Sequence, residues 1–293
     1  MGNVVAANAQ AALPFDCPIE GAIQGERRLM AYPFFALEKG GKQTEIVHEL
    51  RGAKITIRAG KTGMATMWDK KILLYAATLL LKKSKKGQEV SQDVVFTAHD
   101  FFLAVGQEKV GKRNYERFAE ALSRLQGTQI QTDVKTGGQT HRGWFSWLES
   151  AEAVYHEGPE GIERLRAVKV RLCAFLFQAI MREAQIYDYH PEYFQLPPTE
   201  QRIYELARCH CDSGPFVIGL EELQKLVGAQ GVLSKFRLKM IELQDSDVIP
   251  GYEVEVRDVR RRGTNGRKTD HTEVILSSRT DGPRRSLLEL KAA

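Results

Sequence analysis

The sequence predicts an α+β fold built from two similar units in tandem, joined by a connecting helix. Apolar residues recur at helical spacing in three successive segments, and an alternating, β-type segment with a hairpin turn follows them. The same order of helix, helix, helix and hairpin begins again after Pro197-Pro198. A chain of 293 residues is long enough for two domains, each with its own core.

These patterns predict four segments. Residues 1–47 have weak periodicity and several Gly and Pro, so we expect mostly extended chain there. Residues 48–190 hold the first unit and the connecting helix, and residues 191–280 hold the second unit. Residues 281–293 form a short amphipathic tail, which we expect to be a frayed end. The alternative is a peptide that docks on a helicase or clamp.

The first unit contains the clearest helix of the chain. This segment runs from Gly111 to Gly127, and its apolar side chains predict one buried face. Before it, the sequence predicts a helix from Thr66 to Lys82 and a short helix that ends at Gly106. After it, alternation from residue 130 to residue 134 and a turn at Gly137-Gly138 predict the hairpin of this unit.

Basic residues lie opposite the buried face of the third helix. We expect them to be exposed to solvent or to a partner, and the candidates are Lys112, Arg113, Arg117 and Arg124.

The third helix of the second unit has a less regular pattern. Leu233, Phe236, Met240 and Leu243 are predicted to hold it onto the core, and the predicted outward donors are Ser234, Lys235, Arg237 and Lys239. Leu238 and Ile241 lie off that core face, and we expect them to pack against the connecting helix or the other unit.

Three helices followed by a hairpin are the parts of a winged helix, in which the third helix enters the major groove of DNA and the hairpin contacts adjacent backbone. The second hairpin supports this interpretation, because no carboxylate occurs between Val259 and Thr269. Its candidate DNA-contacting residues are Arg260, Arg261, Arg262, Asn265, Arg267 and Lys268. Each cation that neutralises a phosphate adds about 0.9 to the slope of log affinity against log salt. We therefore expect the hairpin to contribute affinity for DNA and the third helices to contribute sequence preference.

The sequence argues against an enzyme. Gly60-Lys61-Thr62 has the look of a phosphate-binding loop, but the position that requires the first glycine holds Ile55. None of the seven histidines forms a His-x-His pair, which a metal-dependent DNA-nicking enzyme needs. Cys209-His210-Cys211 has no second ligand pair at a spacing suited to zinc. We therefore expect no catalytic residue, no metal and no cofactor.

Composition favours a protein of a reducing cytoplasm. The four cysteines have no disulfide framework, and the longest apolar run is too short to cross a bilayer. The net charge of +5 is moderate, so it indicates a nucleic-acid partner only if the lysines and arginines lie together on particular faces.

Several strings of this chain resemble the replication initiator protein A family of bacterial plasmids. These strings are GMATMWDKKILLYAATLL at 63–80, GKRNYERFAEALSRLQGTQIQT at 111–132, VKVRLCAFLFQAI at 168–180 and LPPTEQRIYELAR at 196–208. The resemblance covers roughly residues 50 to 280. It implies two winged-helix units on one origin repeat, called an iteron, with the carboxy-terminal unit as the main reader. It also implies opening of an A·T-rich region, recruitment of the host initiator and replicative helicase, and a location with plasmid or nucleoid DNA in a bacterial cytoplasm.

Two questions stay open at this point. A transcriptional repressor without a replication role would use the same two units. Dimers are implied by the resemblance, but Leu73 and Leu80 give only one heptad step, so an edge strand of the first unit is a better candidate interface than a leucine zipper.

Overall fold

The structure of the protein is a computed structural model that describes residues 15–16, 18–19, 21–38, 44–50, 52–133, 135–136, 139–140, 143–157, 163–182, 185–262 and 268–279. The predicted tail at 281–293 lies outside the described residues. The helices are α1 (Arg27–Ala31), α2 (Met67–Lys85), α3 (Ala98–Ala104), α4 (Lys112–Gly127), α5 (Ala174–Arg182), α6 (Pro198–His210), α7 (Leu220–Val227) and α8 (Leu233–Ser246). The strands are β1 (Gln24–Glu26), β2 (Glu45–Leu50), β3 (Ala53–Arg58), β4 (Asp93–Phe96), β5 (Gln129–Thr132), β6 (Lys135–Thr136), β7 (Gln139–Thr140), β8 (Trp144–Phe145), β9 (Leu148–Glu157), β10 (Glu163–Leu172), β11 (Ile186–Asp188), β12 (Phe216–Gly219), β13 (Tyr252–Arg262) and β14 (Lys268–Ser278).

The first unit consists of α2, β4, α3, α4 and the hairpin β9–β10. Its strands form an antiparallel sheet in the order β4-β10-β9, with Val168 opposite both Phe96 and Ala153. The three helices pack on this sheet through a cluster of aromatic rings: Tyr75 lies edge-on to Phe96, and Phe101 lies against Phe118. Burial of these rings positions α4 over the sheet with its other side outward.

The second unit repeats this topology with α6, β12, α7, α8 and the hairpin β13–β14. Its sheet has the order β12-β14-β13, in which Val274 lies opposite both Ile218 and Val256. Phe236, Met240 and Leu243 are buried and hold α8 onto this unit. In both units a first helix is followed by a strand, two helices and a hairpin, which is the order of a winged helix. The prediction of two tandem winged-helix units is confirmed.

The hairpin of the first unit is not the predicted one. Strand β5 lies in a separate sheet of order β2-β3-β5-β8, where Ile130 is opposite Ile57 and both are buried. Strands β6 and β7 pair over only two residues each, and Gly137-Gly138 between them lie outside the described residues. The long β9–β10 hairpin occupies the wing position instead. The apolar alternation of β5 serves a partner more than seventy residues earlier, and local sequence does not reveal such a pairing.

Part of the amino-terminal segment is folded, contrary to the prediction of extended chain through residue 47. Strand β1 pairs with β11, and α1 packs on α6 with Leu29 and Met30 buried. Elements of three and five residues are too short to show periodicity, and the partner of β1 lies far along the chain.

The connecting segment begins with α5, directly after β10, as predicted. It continues through β11 and a 3-10 helix at Pro191–Gln195 to the start of α6. The buried side chains of both units form one continuous cluster, in which α2 and α6 contact each other. The two third helices are therefore parts of one packed body.

Candidate nucleic-acid interface

The outward face of α4 begins with free cations. Lys112, Arg113 and Arg117 are exposed, and none of them pairs with an acidic group of the described residues. Gly111 immediately precedes α4, and its N–H donates to the Asn114 side chain at 3.0 Å. The N-terminal half of α4 therefore presents three cations to a ligand.

Arg124 does not belong to this face, and its prediction as a DNA-contacting residue is wrong. Its guanidinium donates two hydrogen bonds of 2.8 Å to the Asp69 carboxylate, and both side chains are buried. The hydrogen bonds to Asp69 raise the pKa of Arg124 above its usual value. Asp69 also accepts the N–H of Thr66 at 2.8 Å, which caps the start of α2. The C-terminal turns of α4 pack against α2, so the basic residue Arg124 stabilises the fold there.

The donors predicted on α8 divide into free and paired groups. Ser234 and Lys235 are exposed on the first turn, and Lys235 has no acidic partner in the part of the chain that the structure describes. Arg237 donates to Asp258 of β13 at 2.7 Å, so it links the third helix to its wing. Lys239 lies 2.8 Å from Glu200 at the start of α6 and is also bonded to Glu242. Of the four, Ser234 and Lys235 are thus available to a ligand.

Leu238 occupies an unexpected position. The prediction that it packs against another element is wrong, because its side chain is 65% exposed. Ile241 is half-buried. Leu238 lies one turn after Ser234 and Lys235, on the side of α8 opposite the buried Met240. Sequence reasoning missed it because an apolar residue in a helix is ordinarily a core residue.

The tips of the two wings differ in sequence: the second carries cations and no carboxylate between Val259 and Thr269, whereas the acidic residues of the first are followed directly by Arg164 and Arg166. In the second wing the backbone of Arg260, Arg261 and Arg262 lies in β13, and Lys268 opposes Arg262 at the end of the ladder. Asn265 and Arg267 lie outside the described residues. In the first wing, residues 156–163 contain Glu157, Glu160 and Glu163 and no lysine or arginine. The second wing tip is thus the more basic of the two.

A buried charge network joins the two units. Lys70 of α2 donates to Glu205 of α6 at 2.6 Å, and Arg202 bonds the second oxygen of Glu205 at 2.5 Å. The hydroxyls of Tyr193 and Tyr189 donate to Glu205 at 2.7 Å and 3.2 Å. Burial lowers the pKa of Lys70 to about 8.

Backbone oxygens complete this network. Lys70 also bonds the carbonyl of Leu29, and Arg202 bonds the carbonyls of Met30 and Leu226. The neighbouring Lys71 donates to the carbonyl of Phe194 at 2.6 Å, and burial lowers its pKa to about 8. Buried charged groups are tolerated when they are paired and hydrogen-bonded, and these bonds fix α1, α2, α6 and α7 together, although the buried Nε atom of Arg202 has no partner among the described residues.

The Gly60-Lys61-Thr62 segment forms a tight turn beside α4. Gly60 lies so close to the Gly127 carbonyl that a β-carbon on Gly60 would stand 2.6 Å from that oxygen. Thr62 and Ser123 share a hydrogen bond of 3.2 Å, so the turn is seated on the third helix.

Cys209 and Cys211 are hydrogen-bonded to different parts of the backbone. Cys209 and Cys211 are buried and donate to different backbone carbonyls, those of Arg27 and Leu276, and burial raises the pKa of Cys209 to about 12. Among the described residues, no three His, Cys, Asp or Glu side chains are grouped as metal ligands. No helix in the described ranges is long and apolar enough to span a membrane.

Comparisons with known proteins agree with this architecture. A family model described as "Replication initiator protein A" matches residues 24–254. A "Putative replication protein" of Wigglesworthia glossinidia brevipalpis is 28% identical over 237 residues, which is 80% of this chain and 84% of that protein.

Two solved structures share the fold. The crystal structure of SeMet derivatives of domains 2 and 3 of RctB superposes with a TM-score of 0.56 at 17% identity and covers 86% of this chain and 98% of that one. A second structure of RctB domains 2-3 gives a TM-score of 0.50 at 15% identity and covers 80% and 90% of the two chains. At these identities the likeness describes the fold alone.

Proposed function

The chain belongs to the replication initiator protein A family, and from this premise we propose that it is a sequence-specific, double-stranded DNA-binding plasmid initiator that binds origin iterons. One observation carries the proposal: two winged-helix units in one packed body each present free polar and basic side chains on the outward side of the third helix. A helix in that position is the element that enters the major groove.

The fixed relation between the units supports binding to a single site. The network around Glu205 lies between the first helices of both units and holds them in one orientation. Rigidly spaced third helices lose little freedom on binding and select sites in which two groove segments have the matching separation. A repeated origin element of about two helical turns would provide this arrangement.

The second unit is proposed as the main reader. Its third helix offers Ser234 and Lys235, and its wing is basic. The first unit, whose wing tip is less basic, would contact DNA through Lys112, Arg113 and Arg117 of α4. Contacts to phosphate would position both units, and contacts to base edges would give the preference.

The proposal includes partners beyond DNA. Opening of an A·T-rich segment and recruitment of the host initiator and replicative helicase would follow iteron binding. A homodimer would form through an edge strand of the first unit. Strand β9 is a candidate, since it is bonded only to β10 within the described residues and exposes Tyr155. Nucleotide hydrolysis would belong to the partners, and the chain itself would act without a catalytic residue or cofactor.

Selection of duplexes from a random pool tests the DNA-binding part. We expect one motif about two major-groove turns long, with affinity well above that for a scrambled duplex across a salt titration. Equal, salt-sensitive binding to every duplex would contradict sequence-specific recognition.

A replication assay separates the initiator from a winged-helix repressor without a replication role. A plasmid that carries this gene and its flanking repeats is introduced into a bacterial host that lacks any other initiator for that origin. We expect the plasmid to replicate, and to be lost when the repeats are scrambled. Binding and promoter repression without replication would support the repressor instead.

A further inference from the structure

Leu238 projects from the centre of the outward face of α8. Phe236, Met240 and Leu243 define the buried side of the helix, and at 100° per residue Leu238 lies almost opposite to their mean direction. With 65% exposure it is the most exposed large hydrophobic side chain among the described residues. An apolar group at this point is hydrated at a cost in free energy, and a ligand that covers it removes that cost.

The neighbours of Leu238 indicate what that ligand is. Ser234 and Lys235 precede it by four and three residues, so all three side chains share one face of α8. Glu242 follows it by four residues on the same face, and its carboxylate is bonded to Lys239 at 3.2 Å. Ser234 and Lys235 are both exposed hydrogen-bond donors, and the basic strand ends of β13 and β14 belong to the same unit. An apolar protein partner would leave these donors unpaired, whereas a DNA groove accepts donors and apolar groups side by side.

The major groove presents one apolar group, the C5-methyl of thymine. Resting on the proposed function, we propose that Leu238 is a specificity-determining residue that packs against a thymine methyl in the half of the site bound by the second unit. Lys235 and Ser234 bind the hydrogen-bond acceptors beside this thymine. Cytosine and uracil lack the C5-methyl group, so they are disfavoured because Leu238 then loses its apolar contact.

The experiment uses the full chain and the duplex selected from the random pool. That duplex is synthesised with each thymine replaced in turn by deoxyuridine, which removes only the methyl group. For the wild-type protein we expect one position at which the affinity falls roughly fourfold, the effect of one buried methyl-sized group. The Leu238→Ala variant should bind the unmodified duplex about as weakly as the wild type binds the duplex with deoxyuridine at that position. It should no longer distinguish thymine from deoxyuridine there.

Val217→Ala provides the matched control. Val217 is 53% exposed on β12 of the same unit, at the sheet edge remote from β13. We expect this variant to retain the full preference for thymine. Circular dichroism should show both variants folded, because neither side chain contributes to the core.

The outcomes separate this inference from the proposed function. If a preferred duplex exists but Leu238→Ala still distinguishes thymine from deoxyuridine, or no position responds to the methyl group, the role of Leu238 is wrong and DNA recognition stands. If Leu238→Ala changes only the sedimentation of the free protein, this face binds a second copy and the inference is wrong. If the pool yields no preferred duplex, the proposed function fails and the inference fails with it.

Discussion

The Nζ atom of Lys70 lies 2.6 Å from Oε1 of Glu205, with 1% and 0% of the two side chains exposed. The lysine belongs to the first helix of one winged-helix unit and the glutamate to the first helix of the other. Arg202 and two tyrosine hydroxyls use the remaining capacity of the carboxylate. A buried carboxylate with this many partners is costly to disturb, so the pair is a determinant of how the units are joined.

Glu205→Gln should therefore destabilise the whole protein. The substitution leaves Lys70 and Arg202 buried without their counter-charge, and we expect the free energy of unfolding to fall by ~3–5 kcal/mol. Chemical denaturation followed by tryptophan fluorescence and circular dichroism measures this value. Because the network joins the units, the unfolding transitions measured by tryptophan fluorescence and by circular dichroism should no longer coincide in the variant.

Lys54→Met is the control for this prediction. Lys54 and Glu49 form a pair at 3.6 Å with 61% and 75% exposure. Loss of such a surface pair should change the free energy of unfolding by less than ~1 kcal/mol. Similar small changes in both variants would show that the Glu205 network is not a stabilising contact.

Arg124→Ala and Arg117→Ala should separate folding from binding on one helix. Arg124 is bonded twice to the buried Asp69, so its removal should lower the free energy of unfolding by ~3 kcal/mol or more. Arg117 is exposed, so its removal should leave stability within ~0.5 kcal/mol and reduce the salt dependence of duplex binding. Denaturation curves and a salt titration of both variants are the measurements. A stable Arg124→Ala protein with reduced salt dependence would return Arg124 to the binding surface.

The sequence was sufficient for the longer helices and for the repeated order of parts, because those helices carry their own apolar spacing, which the five-residue α1 is too short to show. It was insufficient for the first wing. Ile130 alternates as a hairpin strand should, yet its partner is Ile57, and only the folded chain brings these strands together. Pairings across long sequence separations are set by the whole core, which a local pattern does not contain.

The same limit applies to the candidate site. Lys112 and Arg124 have similar chemistry in the sequence, but one is exposed and the other is buried on Asp69. The spacing of residues in a helix predicts which side chains share a face. It does not predict which part of that face another helix covers, as α2 covers Arg124. Leu238 is the opposite case: its apolar side chain was predicted to pack against another element, but it is exposed to solvent.

Arg237 and Asp258 should act as one positioning pair. Their contact of 2.7 Å links α8 to β13, and Asp258 also accepts the Thr272 hydroxyl at 2.8 Å. We expect Arg237→Ala and Asp258→Ala to weaken duplex binding to a similar extent and the double variant to be no weaker than either. A double-mutant cycle of affinities measures this coupling. If Asp258→Ala leaves affinity unchanged and Arg237→Ala abolishes preference at one base pair, Arg237 is a base-reading residue instead.

Acid should destabilise the protein through His48. Burial, with a smaller effect of Arg202, lowers the pKa of this β2 residue from 6.5 to about 4. Between these values the unfolded chain binds a proton at His48 and the folded chain does not, so stability present above pH 6.5 is lost as the pH falls toward 4. The loss is about 1.4 kcal/mol per pH unit.

The difference between wild type and His48→Gln isolates this effect, since glutamine does not titrate. Denaturant unfolding at several values from pH 7 down to pH 4.5 should show the wild type losing stability faster than the variant. Parallel curves for the two proteins would mean that His48 is protonated equally in both states.

Arg261→Ala and Lys235→Ala should affect affinity and preference differently. Arg261 lies at the strand end of the basic wing, which we propose to contact phosphates, so its loss should weaken all duplexes alike and lower the salt slope by about one. Lys235 is exposed on the first turn of α8, so its loss should reduce the ratio of affinities for the selected and scrambled duplexes. Titrations of both duplexes at several salt concentrations measure slope and ratio together. The reverse pattern, with preference lost in Arg261→Ala and retained in Lys235→Ala, would assign base reading to the wing and phosphate contact to the helix.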